Sequence, residues 1–129
     1  MEISVVLPIY NEKELVVPLY ASLRDSLERL GVDYELILVD DGSVDGTLPA
    51  LMDLAKADAR VTVIELTRNF GNQVAIATGL EYASGQGVVT MDSDLEDRPE
   101  DIEKLYSKAQ EGHDVVYAVR GSDHKSFLK

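Results

Sequence analysis

The 129-residue chain contains no cysteine. That absence excludes disulfides, thiolate zinc sites and cysteine nucleophiles; it fits a reducing compartment without fixing one. Long apolar runs are missing as well, and no stretch approaches the roughly 18 to 20 residues that a membrane-spanning helix needs. The opening MEISVVLPIY has an acid at residue 2 and an apolar run too short for a secretory signal with its basic flank. As given, the chain is expected to be soluble and cytoplasmic. Basic residues are scarce: 12 Lys and Arg stand against 24 Asp and Glu, for a formal charge of -12. This disfavours nucleic acid or an anionic membrane surface as a general partner. An anionic ligand would have to be received through a metal ion, a local arginine or backbone N–H groups. Internal repeats and low-complexity tracts are absent. The two histidines, His113 and His124, stand apart from each other and are assigned no role.

What is present is the composition of one globular domain, 45% hydrophobic and 28% charged, in a chain long enough to bury a single core. Short β-rich runs alternate with segments of helical period. Ile3 to Ile9 predicts a strand buried on both faces, because it is nearly continuous in Val, Ile and Leu. Leu19, Leu23, Leu27 and Leu30 then recur at helical spacing; Gly31 ends that helix, and Pro18 starts it near Val16 or Val17. Tyr34 to Val39 is a second expected strand, Thr47 to about Ala57 a helix with Thr47 as its N-cap, and Val61 to Leu66 a third strand. Residues 72 to 84 read as a closely packed helix, Val88 to Met91 as a strand, Pro99 to Gln110 as a helix and Asp114 to Val119 as a fifth strand. This β-α alternation predicts a mainly parallel sheet with helices on both faces. Ligands of such sheets bind at the carboxyl ends of the strands.

Four polar clusters follow predicted strands and would gather on that edge. PIYNE (Pro8 to Glu12) reads either as a simple turn capped by Asn11 or as a pocket wall, with the Tyr10 ring facing a base or sugar and Asn11 and Glu12 beside it. VDDGSVDGT (Val39 to Thr47) has turn and cap residues, yet its adjacent Asp40 and Asp41 exceed what a cap needs; one can accept hydrogen bonds from a base or ribose. TRNFGNQ (Thr67 to Gln73) supplies Arg68, and Gly71 allows close backbone approach just before a helix whose N–H groups could meet an anion. A structural role, with Phe70 in the core and Asn69 or Asn72 as cap, fits those residues as well.

MDSDLED (Met91 to Asp97) is the most informative cluster. A solvated loop explains Glu96 and Asp97, and Asp97 can cap the helix whose first turn holds Pro99. Asp92 and Asp94 lie at i and i+2 on one side of a strand end. Two carboxylates about 4 Å apart there would repel by roughly 4 kcal/mol at an effective dielectric near 20. A hard divalent cation, Mg²⁺ or Mn²⁺, removes that cost, and such ions take one or two carboxylates with phosphate oxygens completing the shell.

VVLPIYNE, LILVDDGSVDGT, RNFGNQVAIATGL and VVTMDSDLEDRPEDI together resemble, in order and over nearly the whole chain, the successive motifs of inverting family 2 glycosyltransferases. The branch most similar is that of the polyprenyl-phosphate sugar synthases. The resemblance implies a GT-A, Rossmann-like three-layer α/β/α fold and a metal-dependent transfer from a UDP- or GDP-linked sugar to a polyprenyl phosphate, in cell-envelope glycan synthesis. It places Pro8, Tyr10, Asn11 and Glu12 on the nucleotide pocket, together with Gly71 and with Asp41 and Asp40 at the base or ribose. It makes Asp92 and Asp94 the catalytic DxD pair, with Asp92 also touching the nucleotide and Glu96, where the branch commonly has Gln, as third metal ligand. Arg68 and Arg120 would approach the phosphates or sugar. Family domains of this kind run on for many tens of residues. Residues 1–129 are therefore expected to be the nucleotide-sugar-binding portion of a longer domain, at the cytoplasmic face of a membrane where carboxyl-terminal helices follow.

Two other classes compete. A phosphoaspartate receiver domain shares the chain length and an acidic pair after LILV, although receivers place that pair after their first strand. A non-catalytic nucleotide-binding fragment would need a partner segment to act. Apolar surface left uncovered in such a portion favours a homodimer by mass action.

Overall fold

ISVVLPI (Ile3–Ile9) forms strand β1, buried along its entire length. In a computed structural model of the protein, which describes residues 2–91, Lys104, Tyr106, Ser107, Val115–Ala118 and Lys125–Leu128, this strand is the centre of the sheet. The chain continues through α1 (Val16–Leu30), β2 (Tyr34–Asp40), α2 (Thr47–Ala57), β3 (Val61–Glu65), α3 (Asn72–Tyr82), β4 (Gly87–Thr90), β5 (Val115–Ala118) and β6 (Lys125–Leu128). A single 3-10 turn, Lys13–Leu15, leads into α1. The strands are ordered β3-β2-β1-β4-β5-β6, all parallel except β6, which runs antiparallel to β5. Receiver domains order their strands 2-1-3-4-5. The receiver alternative therefore fails on topology.

Strand alternation divides the core between two faces. Ile3, Val5, Leu7 and Ile9 of β1, with Leu36 and Leu38 of β2, pack against Val16, Leu19, Leu23 and Leu27 of α1 and Leu51 of α2. Val6, Ile37 and Val39 face the other way, onto Ala75 of α3. Helix α3 lies close to the sheet because its residues there are small: a Cβ at Gly79 would sit 2.4 Å from Val6 Cγ1 and 3.1 Å from Val39 Cγ2. The expected three-layer arrangement is the one observed.

The predicted ends of β1, α1, α2, β3 and α3 fall within two residues of the observed ones. Gly31 closes α1 in the left-handed region at φ 68°, its N–H donating to the Glu28 carbonyl. Two expectations change. Gly46, not Thr47, is the N-cap of α2, and the Thr47 hydroxyl serves a different loop. Strand β6 was not expected, because KSFL carries only two adjacent apolar residues; its place comes from pairing with β5. The helix expected over 99–110 lies outside the described residues, apart from helical Lys104, Tyr106 and Ser107.

The amino edge of the sheet is held by charge and hydrogen bonds. Ser84 donates its N–H and its hydroxyl to the Glu35 carboxylate, both at 2.8 Å, and the buried Ser4 hydroxyl donates to the same oxygen at 2.5 Å. Burial of Glu35 opposes its ionisation, but these donors prevail and hold its pKa below the ordinary value. They also fix the turn that leads into β4.

Asp58, at the end of α2, receives the Arg60 guanidinium at 3.1 and 3.2 Å and the Tyr20 hydroxyl at 2.7 Å. The Arg60 guanidinium also lies 4.4 Å from the Tyr34 ring centroid. Arg60 above all, opposed by burial and helped by Tyr20, lowers the Asp58 pKa from 3.8 to about 2. A depressed carboxylate stabilises the fold above its unfolded pKa, and the contribution disappears as pH falls from about 4 to about 2. Because Arg60 is 39% exposed and screened by water, the Asp58 charge contributes on the order of 1 to 2 kcal/mol. Asp58→Asn should lower the unfolding free energy from urea titration at pH 7 by that amount, with the difference from the unmodified chain vanishing near pH 2.

Candidate nucleotide-sugar site

The strand order reverses direction between β1 and β4: the chain steps from β1 outward to β2 and β3, then returns to place β4 on the other side of β1. A parallel sheet opens a crevice at such a switch point, beyond the carboxyl ends of the two strands. Tyr10–Glu12 leave β1 there. Met91, buried and donating its N–H to the Val6 carbonyl at 3.2 Å, follows the end of β4 at the same edge. Asp92, Asp94 and Glu96 themselves, and Arg120, lie outside the described residues. Among the described residues no three Asp, Glu or His side chains gather around a possible metal position. The metal reading therefore rests on the donor chemistry of the segment after β4, whose hard carboxylate oxygens suit Mg²⁺ or Mn²⁺.

The loops after β1 and β2 are laced together by consecutive backbone groups. The Asn11 N–H donates to Ser43 Oγ at 2.8 Å, the Glu12 N–H to Thr47 Oγ1 at 3.0 Å, and the Lys13 N–H to Asp45 Oδ2 at 3.3 Å. In return Asn11 Oδ1 accepts the Val44 N–H at 2.8 Å. Asp45 also accepts the Thr47 N–H at 3.0 Å and the Thr47 hydroxyl, and chiefly that hydroxyl lowers its pKa. Asn11 has φ 49°, a left-handed conformation that Asn tolerates better than most residues. Pro8 is buried within β1, whereas the Tyr10 side chain is 42% exposed at the edge. A shallow recess of about 410 Å³ beside the lace is lined by Asn11, Glu12, Lys13, Glu14, Leu15 and Asp45. A larger groove, about 580 Å³, runs along Ser22 to Arg29 of α1, away from the strand carboxyl ends.

Asp41 ties the β2 loop to the β3 loop. Its side chain is 1% exposed, and its carboxylate accepts the Phe70 N–H at 2.8 Å, the Gly71 N–H at 3.0 Å and Asn69 Nδ2 at 3.2 Å. Asn69 Nδ2 also reaches the Asp41 carbonyl at 3.1 Å. The neighbouring Gly42 makes the approach possible: at φ 76°, a Cβ there would lie 2.3 Å from the Arg68 carbonyl carbon. Arg68 is exposed, with its guanidinium 4.5 Å from the Phe70 ring centroid. Phe70 is thus half-exposed on the site edge and not in the core, and Gly71 is the N-cap of α3. Because the Phe70 and Gly71 N–H groups already serve Asp41, the anion position they offer is occupied by a carboxylate of the chain itself.

Asp40 differs from its neighbour. It is 2% exposed, and among the described residues its Oδ1 has no hydrogen-bond partner. A buried carboxylate oxygen without a donor is costly, which makes Asp40 the acidic group of the pair with spare accepting capacity.

The structure thus brings Tyr10, Asn11, Glu12, Asp40, Asp41, Arg68 and Gly71 to one edge of the sheet. Ser43, Asp45, Thr47 and Asn69 were not singled out as site residues. Their signal was local, since Ser, Asp, Thr and Asn in turns commonly bind backbone N–H groups. Their partners are 28 to 35 residues distant.

The family model for glycosyl transferase family 2 matches residues 4–127, and the chain belongs to that family. An uncharacterized glycosyltransferase of Synechocystis sp. is 43% identical over 122 residues, which is 95% of this chain and 38% of that protein. The chain therefore spans less than two fifths of that relative's length. Among solved structures, the mannosyltransferase PcManGT from Pyrobaculum calidifontis, in complex with GDP-Man and Mn²⁺, superposes with a TM-score of 0.61 at 30% identity, over 72% of this chain and 27% of that one. TarS 1-349 of S. aureus in complex with UDP-GlcNAc gives 0.67 at 26% identity, over 96% of this chain and 37% of that one. Nucleotide sugars are thus the ligands of proteins that share this sheet.

Replacing Asn11 by Ala removes the acceptor of the Val44 N–H and leaves a β-carbon in a left-handed conformation. The expected cost is about 1 to 2 kcal/mol. Asn11→Gly, which relieves the backbone term, should cost less; thermal denaturation of the two variants measures the difference.

Proposed function

We propose that residues 1–129 form the donor-binding portion of an inverting, metal-dependent glycosyltransferase that takes a UDP- or GDP-linked sugar and, in the complete protein, transfers it to a polyprenyl phosphate. The observation that carries this reading is the convergence of three laced loops at the β1/β4 switch point, on the edge where β4 ends. The half-exposed Tyr10 ring offers a face for a base or sugar. Asp40, whose buried Oδ1 has no donor among the described residues, is the carboxylate of the pair with spare accepting capacity. Arg68 is an exposed cation at this edge, as is Lys13, and is available to a phosphate.

Asp92 and Asp94, with Glu96 as a third ligand, would hold Mg²⁺ or Mn²⁺ beyond β4, and Arg120 would add charge near the phosphates. A divalent ion bound there would supply Lewis-acid stabilisation to a departing nucleoside diphosphate. The acceptor phosphate is already anionic, so no strong general base is required of the chain. With a membrane lipid as acceptor, the reaction belongs at the cytoplasmic face.

The test is calorimetric titration of the chain with UDP and with GDP, each in Mn²⁺ and in EDTA. One nucleotide should bind in Mn²⁺ and lose its affinity in EDTA, which also identifies the base. Asp94→Ala should abolish the metal-dependent binding while circular dichroism stays unchanged. Undiminished affinity in that variant would overturn the metal assignment, and a folded chain that binds neither nucleotide would overturn the donor-site reading.

A further inference from the structure

Helix α2 begins without a side-chain cap, although a residue with the chemistry of one stands at its first position. Thr47 is fully buried, and its hydroxyl is committed elsewhere: it accepts the Glu12 N–H at 3.0 Å and donates to the Asp45 carboxylate. A hydroxyl that both accepts and donates is held in one rotamer from two sides. Asp45 Oδ1 also accepts the Thr47 N–H at 3.0 Å, which keeps the carboxylate beside the hydroxyl. Its second oxygen, Oδ2, accepts the Lys13 N–H at 3.3 Å. The Lys13 stem lies along the helix start as well, because a Cβ at Gly46 would sit 3.4 Å from Lys13 Cδ. Thr47 and Asp45 thus form a clasp that closes on two consecutive amides of the β1 loop.

The clasped amides follow Tyr10 and Asn11. Asn11 holds a left-handed φ of 49°, and its own N–H and Oδ1 are tied to Ser43 and Val44. On the other side of Tyr10 lies Ile9, buried in β1. The backbone of the exposed Tyr10 is therefore fixed at both ends, by the sheet and by the loop bonds, and the direction of its ring follows. Without the clasp, Asn11 is free to leave its costly conformation, and the ring turns with it. Resting on the donor-site reading above, we propose that Thr47 is a positioning residue for the nucleoside of the donor: with Asp45 it clasps the β1 loop so that the Tyr10 ring stands as a fixed wall. Being fully buried, Thr47 acts through Tyr10 and touches no ligand itself. Helix α2 gives up a side-chain cap for this, and the loop gains an anchor from 35 residues away.

Thr47→Val keeps the branched shape but withdraws the acceptor of the Glu12 N–H and a donor to Asp45, whereas Thr47→Ser keeps the hydroxyl. In Thr47→Val, amide hydrogen exchange at Glu12 and Lys13 should accelerate about tenfold or more, while amides of β1 and β2 keep their protection. Affinity for UDP or GDP in Mn²⁺, whichever the chain binds, should fall about tenfold in Thr47→Val and in Tyr10→Ala. The double variant should lose little more, because both changes remove the same wall. Thr47→Ser should retain most of the exchange protection and of the affinity. Unchanged exchange at Glu12 and Lys13, multiplicative losses in the double variant, or a Thr47→Ser chain as weak as Thr47→Val would overturn the proposal. Should Thr47→Val fail to fold, Asp45→Ala removes the exposed half of the clasp and should produce faster exchange at Lys13 and a smaller loss of affinity; no change in either would count equally against it. A wild-type chain that binds neither nucleotide overturns the donor-site reading and the role of Thr47 together, whereas undiminished affinity in Thr47→Val overturns the role of Thr47 alone.

Discussion

The carboxyl edge of this sheet depends on finding acceptors for backbone N–H groups once the strands have ended. Inside the sheet each strand satisfies its neighbour; beyond Ile9, Asp40 and Glu65 the ladder stops, and the loops must be held by something else. Short polar side chains supply it. Ser43, Thr47 and Asp45 receive three consecutive N–H groups from the β1 loop, and Asp41 receives two from the β3 loop. The positions of Tyr10 and Arg68 follow from those bonds. Neither has regular secondary structure of its own to hold it.

The two edges of the sheet divide their work. At the amino edge, carboxylates serve the fold: Glu35 accepts from two serines, Asp58 from Arg60 and Tyr20. Such groups raise stability. At the carboxyl edge Asp40 keeps an oxygen without a donor and Tyr10, Arg68 and Phe70 are exposed. Under the proposed function, an acidic chain receiving a diphosphate cannot rely on its overall field, which at -12 is repulsive. Local groups have to reverse it, and that is why a single arginine held in place and a carboxylate pair suited to a divalent ion carry so much of the proposed function.

The fold was largely legible because its signals are local. A continuous run such as SVVLPI can only be a buried strand, and the leucines of α1 repeat at helical spacing before Gly31. Alternation of these elements then dictates a parallel sheet. Strand β6 escaped because four residues with two apolar side chains have no periodicity; its strand character comes from pairing with β5. The site was legible only in outline. The clusters after β1, β2 and β3 do gather on one edge, but the different surroundings of Asp40 and Asp41 depend on Asn69–Gly71, about 30 residues further on. Thr47 illustrates the same limit: it has the chemistry of a helix cap, and its hydroxyl instead serves Glu12.

Backbone conformation singles out the same edge. Of the five residues with positive φ among those described, Asn11, Gly42, Gly46 and Gly71 lie in the loops after β1, β2 and β3; only Gly31 closes a helix elsewhere. Glycine adopts positive φ readily, whereas at Asn11 it costs conformational free energy and persists because surrounding contacts hold it. Here the contacts are identifiable: Asn11 is held by Ser43 and Val44, and Gly71 by Asp41. A loop serving only to reconnect a strand to a helix could satisfy its N–H groups with water and use ordinary turns. Loops that bind each other through buried and half-buried side chains are pre-organised, so that less ordering remains to be done when a ligand arrives. The cost of building this edge is met in the folded chain, so that a ligand there would meet a surface already formed.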